Sequence, residues 1–285
     1  NIFSSKIIVR GNKIKIIGDE KEINLIDQIL FEMASTLNEK GSLDQSDVET
    51  LLAFNMSNSN SNKSSSKNII HYGRKGAIAA RTDGQEKYID IAKSNDIVFS
   101  TGPAGTGKTF IAIAFAVAAL ENRIVDKIVL CRPAVEAGES LGFLPGDLKE
   151  KIDPYLTPLY DALSEILFFE KLKPLLSENI IEIIPLAYMR GRTLNNAFMI
   201  LDEAQNATSV QMKMFLTRLG VNSKAIITGD VTQTDLSNKL ESGLVQVLSL
   251  LKDVDGIGFC ELSAKDIVRH KLVKDIIKAY NEGKN

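Results

Sequence analysis

Eight consecutive residues, Gly102-Pro103-Ala104-Gly105-Thr106-Gly107-Lys108-Thr109, constrain this chain more than any other stretch. They satisfy G-x-x-x-x-G-K-[ST], and they lie between a short apolar run, Ile97 to Ser100, and a longer one, Phe110 to Leu120. A strand, a glycine-rich loop and a helix in that order form a phosphate cradle. The glycines let the backbone curl so that successive N–H groups face one point, and the start of the helix adds unpaired N–H groups and the positive end of its dipole. Lys108 is placed to reach the β and γ phosphates of ATP, and the Thr109 hydroxyl to join the shell of a Mg²⁺ ion, a hard cation that keeps its waters and takes few protein ligands. All eight residues are candidate nucleotide contacts.

The sequence around this loop has the matching architecture. Apolar, β-rich runs at 97–100, 127–131, 180–185, 197–201, 224–228 and 257–262 alternate with helical stretches. Runs such as Ile128-Val129-Leu130 and Met199-Ile200-Leu201 are continuous rather than alternating, as strands covered on both faces by crossover helices must be. An α/β fold with a mostly parallel, doubly wound sheet is expected. The run Ala197 to Leu201 ends in Asp202-Glu203, two carboxylates suited to different work: Asp202 to the Mg²⁺ shell, Glu203 to polarising water, a pairing that favours hydrolysis over transfer to a second substrate. Gln233 follows the run Ala225 to Thr228 and Gly229-Asp230, and is read either as a reporter on the γ-phosphate or attacking water or as part of an ordinary turn. Gln85, ahead of the glycine loop, is either an amide for the adenine edge or a surface glutamine.

The amino-terminal part is a separate small unit. Gly11-Asn12 between Lys6–Arg10 and Lys13–Ile17 predicts a β-hairpin. Asp19 with Glu22 three residues on suggests a capping box, and Ile23, Ile26, Leu30, Met33 and Leu37 recur at helical spacing. A second short helix is predicted over 47–54. Residues 57 to 67 read SNSNSNKSSSK, without one apolar side chain, and so predict a flexible linker. The expected organisation is a ββαα domain over 1–54, a linker over 55–70 and an ATPase domain over 71–285.

Composition closes off other classes. Apolar residues are 44% and charged residues 25% of the chain, as in an ordinary globular protein. The formal net charge of −2 gives a polyanion no bulk attraction, so nucleic acid would need a local basic patch. The two cysteines, Cys131 and Cys260, make neither a disulfide framework nor a zinc site. No run approaches the ~20 residues of a membrane span, no export signal is recognisable, and the cytoplasm is the expected compartment.

GPAGTGKT, MILDEAQNAT, ITGDVTQTDL and CRPAVEAGESLGFLPGDLKEKIDPYLTPLYDAL together resemble the PhoH-like family from about Lys67 onward. That family is similar to the first, RecA-like motor domain of superfamily 1 helicases, whose corresponding motifs are matched by Asp202-Glu203-Ala204-Gln205 and Gly229-Asp230-Val231-Thr232-Gln233. The resemblance implies a P-loop NTPase that binds ATP in the cytoplasm, works in RNA processing on single-stranded or structured RNA, and has an endoribonuclease among its partners. It also implies a KH-like amino-terminal module, for RNA contact or for docking. The nearest match to the G-x-x-G clamp of such modules is Gly18-Asp19-Glu20-Lys21, which lacks the second glycine.

Helicases of this kind take a catalytic arginine from a second motor domain, and the roughly 80 residues after the 197–201 run are too few to build one. A homo-oligomer, a ring such as a hexamer, in which a neighbour supplies the arginine is therefore expected. Arg218 and Arg269 are the candidates, with a structural role the alternative for each. Three stretches could meet RNA: Lys63, Lys67, Arg74, Lys75 and Arg81 with His71-Tyr72 as a stacking surface, the loop Tyr188 to Thr193, and the proline-rich segment from Arg132 to Tyr160. A solvated linker flank, a phosphate contact and a packing or subunit surface are the respective alternatives.

Overall fold

In a computed structural model the chain is described over residues 2–11, 13–58, 69–74, 76–133, 148–234 and 242–268. It falls into two compact units, Asn1–Ala79 and Ala80–Asn285.

The first unit opens with the expected hairpin, β1 (Lys6–Arg10) antiparallel to β2 (Lys13–Ile17), with Val9 opposite Ile14. Helix α1 (Glu20–Lys40) buries Ile26 and Ile29. Its Glu22 accepts from the Ser4 N–H and the Ser5 hydroxyl and so tethers the chain ahead of β1. The Ser5 and Ser4 hydrogen bonds hold the carboxyl pKa below its usual value, against a smaller opposing effect of lost solvation. Helix α2 (Gln45–Asn58) runs past the expected end at residue 54, since Ser and Asn lower helix propensity in a terminal turn without abolishing it. Most of the expected linker lies outside the described residues. The hairpin of β3 (Ile69–Gly73) and β4 (Gly76–Ala79) belongs to this unit and packs on α2, although a boundary at residue 70 assigns it to the ATPase.

The second unit is built on a six-stranded parallel sheet. Its strands are β5 (Ile97–Thr101), β6 (Lys127–Arg132), β7 (Ile181–Pro185), β8 (Ala197–Leu201), β9 (Lys224–Gly229) and β10 (Ile257–Glu261), in the order β10-β5-β9-β8-β6-β7. The helices are α3 (Asp83–Ser94), α4 (Lys108–Glu121), α5 (Leu148–Ile166), α6 (Phe169–Ser177), α7 (Ser209–Leu216) and α8 (Gly243–Leu250). Alternation sorts the strand residues between two layers. Phe99, Val129, Met199, Leu201 and Ile227 join a buried cluster with Met212 and Phe215 of α7 and Leu244 and Val247 of α8. Val98, Ile128, Leu130, Ile200 and Ile226 point the other way, where α4, buried along Ile111 to Val117, crosses β6, β8 and β9. This is the P-loop NTPase fold, and every expected strand is present in it. All six strands point the same way, so their carboxyl ends share one rim of the sheet, where open α/β folds bind ligands. No helix among the described residues is long and apolar enough to cross a membrane.

Candidate nucleotide site

The phosphate loop leaves β5 at Gly102, whose φ of +138° is open to glycine and strained for other residues. A side chain there would also collide with the carbonyl of Leu262, 2.2 Å from an ideal Cβ. Gly105 and Gly107 take φ of +84° and +82°, and Gly107 starts α4. Thr106 donates to the Pro103 carbonyl at 2.9 Å, which closes the turn. Lys108 folds back across it, donating from Nζ to the carbonyls of Gly102 at 2.7 Å and Pro103 at 2.9 Å. Burial pushes the lysine pKa down, while Asp230, Glu203 and Asp202 pull it back up.

Two segments brace the loop. Gln85, in α3, is 4% exposed and donates from Nε2 to the Thr106 carbonyl at 3.0 Å, while its Oε1 accepts from the Arg81 N–H at 2.8 Å. It is not the surface glutamine of the alternative reading, and both ends of its amide hold protein. After β10 the chain passes along the other side: Leu262 N–H donates to Thr101, and Val268 N–H to the Gly105 carbonyl at 3.0 Å. Asp266 pins that segment to the start of α3, accepting from Thr82 Oγ1 at 2.7 Å, the Gly84 N–H at 3.2 Å and Ser263. Burial opposes the Asp266 charge, but these bonds prevail and hold its pKa below 3.8.

Asp202 and Glu203 leave the end of β8 in different surroundings. Asp202 is 4% exposed, and its Oδ1 accepts from Thr109 Oγ1 and from Thr228 Oγ1, each at 2.7 Å. Glu203 has φ of 53° and ψ of 40°, a left-handed conformation uncommon outside glycine, and this turns its side chain out so that 42% of it is exposed. One carboxylate is thus locked to the phosphate loop and the other overhangs it.

These residues fit a magnesium ion. The Thr109 hydroxyl and Asp202 are already neighbours, and Asp230 Oδ2 is buried without a hydrogen-bond partner among the described residues, an anionic oxygen that a hydrated cation would satisfy. All the donors are oxygens. The described residues contain no cluster of three or more His, Cys, Asp or Glu able to hold a metal alone, so phosphate and water would complete the shell.

Two further residues complete the arrangement. Gln205 is 3% exposed; its Nε2 donates to Glu203 Oε2 at 2.6 Å and its Oε1 accepts from the Asp230 N–H at 3.0 Å, so one amide spans the ends of β8 and β9. A Cβ at Gly229 would meet Leu244 Cδ2 at 2.7 Å and Gln205 Oε1 at 2.8 Å, so a larger residue there would push on the amide. Arg132, the last residue of β6, places Nη2 2.9 Å from Glu203 Oε1, Nε 3.3 Å from Asp202 Oδ2, and Nη1 2.8 Å from the Tyr155 carbonyl. Sequence reasoning quoted Gln205 inside a motif and Arg132 only as the start of a segment, and gave neither a role. The one signal for Arg132 in the sequence is its position at the carboxyl end of an apolar run.

Other expected residues fall elsewhere. Gln233 is exposed on the turn after β9, its N–H bonded to the Asp230 carbonyl. Arg218 follows α7 beside Leu194, at the opposite end of β8 from Asp202, and its guanidinium donates to the carbonyls of Met214 and Arg192 and to Thr217 Oγ1. Within its own chain the side chain is held by backbone carbonyls and a hydroxyl and not by an ion pair. Arg269 lies outside the described residues. Among the suggested RNA contacts, His71 is 7% exposed because the pleat of β3 turns it inward, which removes it as a stacking surface. Arg192 forms a two-pronged pair with Glu182 at 2.8 and 2.9 Å, and Lys127 joins it at 2.7 Å. Arg74, Arg81 and Arg190 are exposed, Tyr188 is 55% exposed, and Lys63, Lys67, Lys75 and residues 134–147 lie outside the described residues.

Comparison with known proteins identifies the family. The family model described as "PhoH-like protein" matches residues 77–281. A "PhoH-like protein" of Synechocystis is 47% identical over 99% of this chain and 86% of its own length. A "PhoH-like protein" of Bacillus subtilis is 50% identical over 97% of this chain and 87% of its own. "Protein PhoH" of Escherichia coli is 45% identical over 72% of this chain and 58% of its own. With its phosphate loop, paired carboxylates and parallel sheet, the chain has the nucleotide-binding core of a P-loop ATPase and belongs to the PhoH-like protein family.

Proposed function

We propose that this protein hydrolyses ATP with Mg²⁺ and couples the reaction to RNA binding or remodelling. The observation that carries the hydrolytic part is the division between Asp202, buried and bonded to Thr109, and Glu203, turned outward beside the loop. Lys108 and the N–H groups at the start of α4 would hold the phosphate chain. Thr109 and Asp202 would hold the Mg²⁺, which supplies charge neutralisation at the phosphate oxygens when bound. Glu203 orients a water, whose oxygen adds to the γ-phosphorus as the bond to the β,γ-bridging oxygen breaks. That electron pair leaves on ADP, the water proton passes to Glu203 and then to solvent, and inorganic phosphate departs.

The RNA part draws support from the family and from the exposed Arg74, Arg81, Arg190 and Tyr188. An amino-terminal module that contacts RNA or docks a partner such as an endoribonuclease, and assembly into a homo-oligomer, belong to the same proposal. The burial of His71 and the Arg192–Glu182 pair favour a second reading, a nucleotide-switched binding module without translocation. Steady-state ATP hydrolysis with Mg²⁺, with and without single-stranded RNA, separates the two, with Lys108→Ala and Glu203→Gln as controls. Several-fold stimulation by RNA supports coupling. Turnover indifferent to RNA supports the switch, and an absence of Lys108-dependent turnover refutes hydrolysis altogether.

A further inference from the structure

One cation of this chain stands directly beside the two carboxylates of the site. Arg132 reaches the acidic pair from the neighbouring strand, with only 16% of its side chain exposed. Its contact with Glu203 is a charge-assisted hydrogen bond at 2.9 Å. The approach of Nε to Asp202, at 3.3 Å, has ion-pair distance but not hydrogen-bond geometry, so among the described residues this buried guanidinium N–H has no hydrogen-bond acceptor. Glu203 is held from both sides, by Arg132 on Oε1 and by Gln205 on Oε2. A carboxylate so engaged is a poor partner for water until one oxygen is released.

We infer that Arg132 senses the γ-phosphate directly: an incoming γ-phosphoryl group draws the guanidinium toward itself and frees Glu203 Oε1 for the attacking water, while Gln205 keeps the carboxylate aimed. The chemistry favours the exchange. A guanidinium is planar, carries five donors and pairs with phosphate as readily as with carboxylate. The γ-phosphoryl group brings more charge than Glu203 and, unlike it, would meet an N–H that lacks an acceptor. The third donor, on the Tyr155 carbonyl, anchors the side chain to α5 during the change. Arg132 thereby supplies from the same chain the cation that helicases of this type take from a second domain, and the waiting Glu203 stays restrained until a triphosphate is present. The inference rests on the ATP-hydrolysing reading above.

The test is the discrimination between triphosphate and diphosphate. Fluorescent mant-AMPPNP and mant-ADP are titrated with Mg²⁺ into the full chain, wild type and Arg132→Ala. Loss of the sensor is expected to weaken AMPPNP binding tenfold or more, leave ADP binding within about twofold, and lower kcat for ATP more than it raises KM. An equal loss for both nucleotides, or no loss, overturns the inference and makes Arg132 a strut. Should Arg132→Ala fail to fold, Arg132→Gln keeps a donor for the Tyr155 carbonyl and is read by the same ratio. Wild-type protein that binds neither nucleotide refutes the ATPase reading itself, a result distinct from a mutant that binds both alike.

Discussion

Replacing Gln205 by methionine removes the amide that joins Glu203 to Asp230 while keeping the length and unbranched shape of the side chain. Two contributions are lost. The Asp230 N–H is buried and bonded to Gln205 Oε1, so leaving it unpaired costs about 1–3 kcal/mol. The bond to Glu203 counts for less, roughly 0.5 kcal/mol, because that carboxylate is 42% exposed and water can replace the amide. The expected loss is therefore about 2–3 kcal/mol. For a unit of this size that is a fall of about 5–10 °C in Tm, read by urea and thermal unfolding of Gln205→Met against wild type. Activity reports the aim of Glu203 and not the strength of its bond to the amide: kcat is expected to fall about tenfold as Glu203 loses its orientation, with KM for MgATP within about twofold because Lys108 and the phosphate loop are untouched. Gln205→Glu separates the two effects, since it keeps an acceptor for the Asp230 N–H but sets carboxylate against carboxylate. Its kcat should fall further than that of the methionine variant. A stability loss under about 0.5 kcal/mol in Gln205→Met would refute the claim that this amide ties β8 to β9.

Other perturbations follow from single contacts. Gly102→Ala combines an unfavourable φ with a backbone collision, so it is expected to destabilise by about 2–4 kcal/mol and to abolish binding of mant-ADP; near-native binding would contradict the geometry of the loop. Asp266 has a lowered pKa, so its contribution to stability is complete above 3.8 and is lost as pH falls through the lower value of the folded protein. Asp266→Asn should lower Tm at pH 7 and flatten the decline seen in wild type below pH 3.8; parallel profiles would show that the charge is not held in the fold. Burial pushes the Cys260 thiol up to about 11, and Cys131 is shifted further in the same direction by the same cause. Cys260 should therefore react with iodoacetamide at pH 8 roughly 100-fold more slowly than an ordinary thiol and Cys131 more slowly still, and rapid labelling of native protein would be inconsistent with their burial.

The sequence carried the phosphate loop and the sheet because both depend on local rules. Gly102, Gly105 and Gly107 announce a backbone that only glycine takes easily, and continuous apolar runs announce strands covered on both faces. The wiring between strands was less legible. Arg132 stands 70 positions before Asp202 in the chain, and only the placement of β6 beside β8 brings the two together. Gln205 was visible in its motif, yet its contact with Asp230 requires β9 to lie on the other side of β8. Arg218 lies close to Asp202 in sequence, yet α7 carries the chain to the opposite end of β8, a separation that sequence distance does not convey. His71 and Arg192 were read as free surface because composition does not say which way a pleat turns or which acid waits on the next strand.

The order of the strands also sets a timetable. β5, which launches the phosphate loop, pairs with β9 and β10 and with none of the strands that follow it more closely. On a ribosome its first partner emerges about 120 residues later, on the order of ten seconds at ordinary rates of synthesis. Until then both edges of an apolar strand stand open, and the loop lacks Leu262 and Val268 against which it closes. A nascent chain of this protein therefore cannot complete its nucleotide site before β9, β10 and the segment to Val268 have been made, and one stalled earlier would expose β5 to chaperones or to aggregation rather than bind ATP.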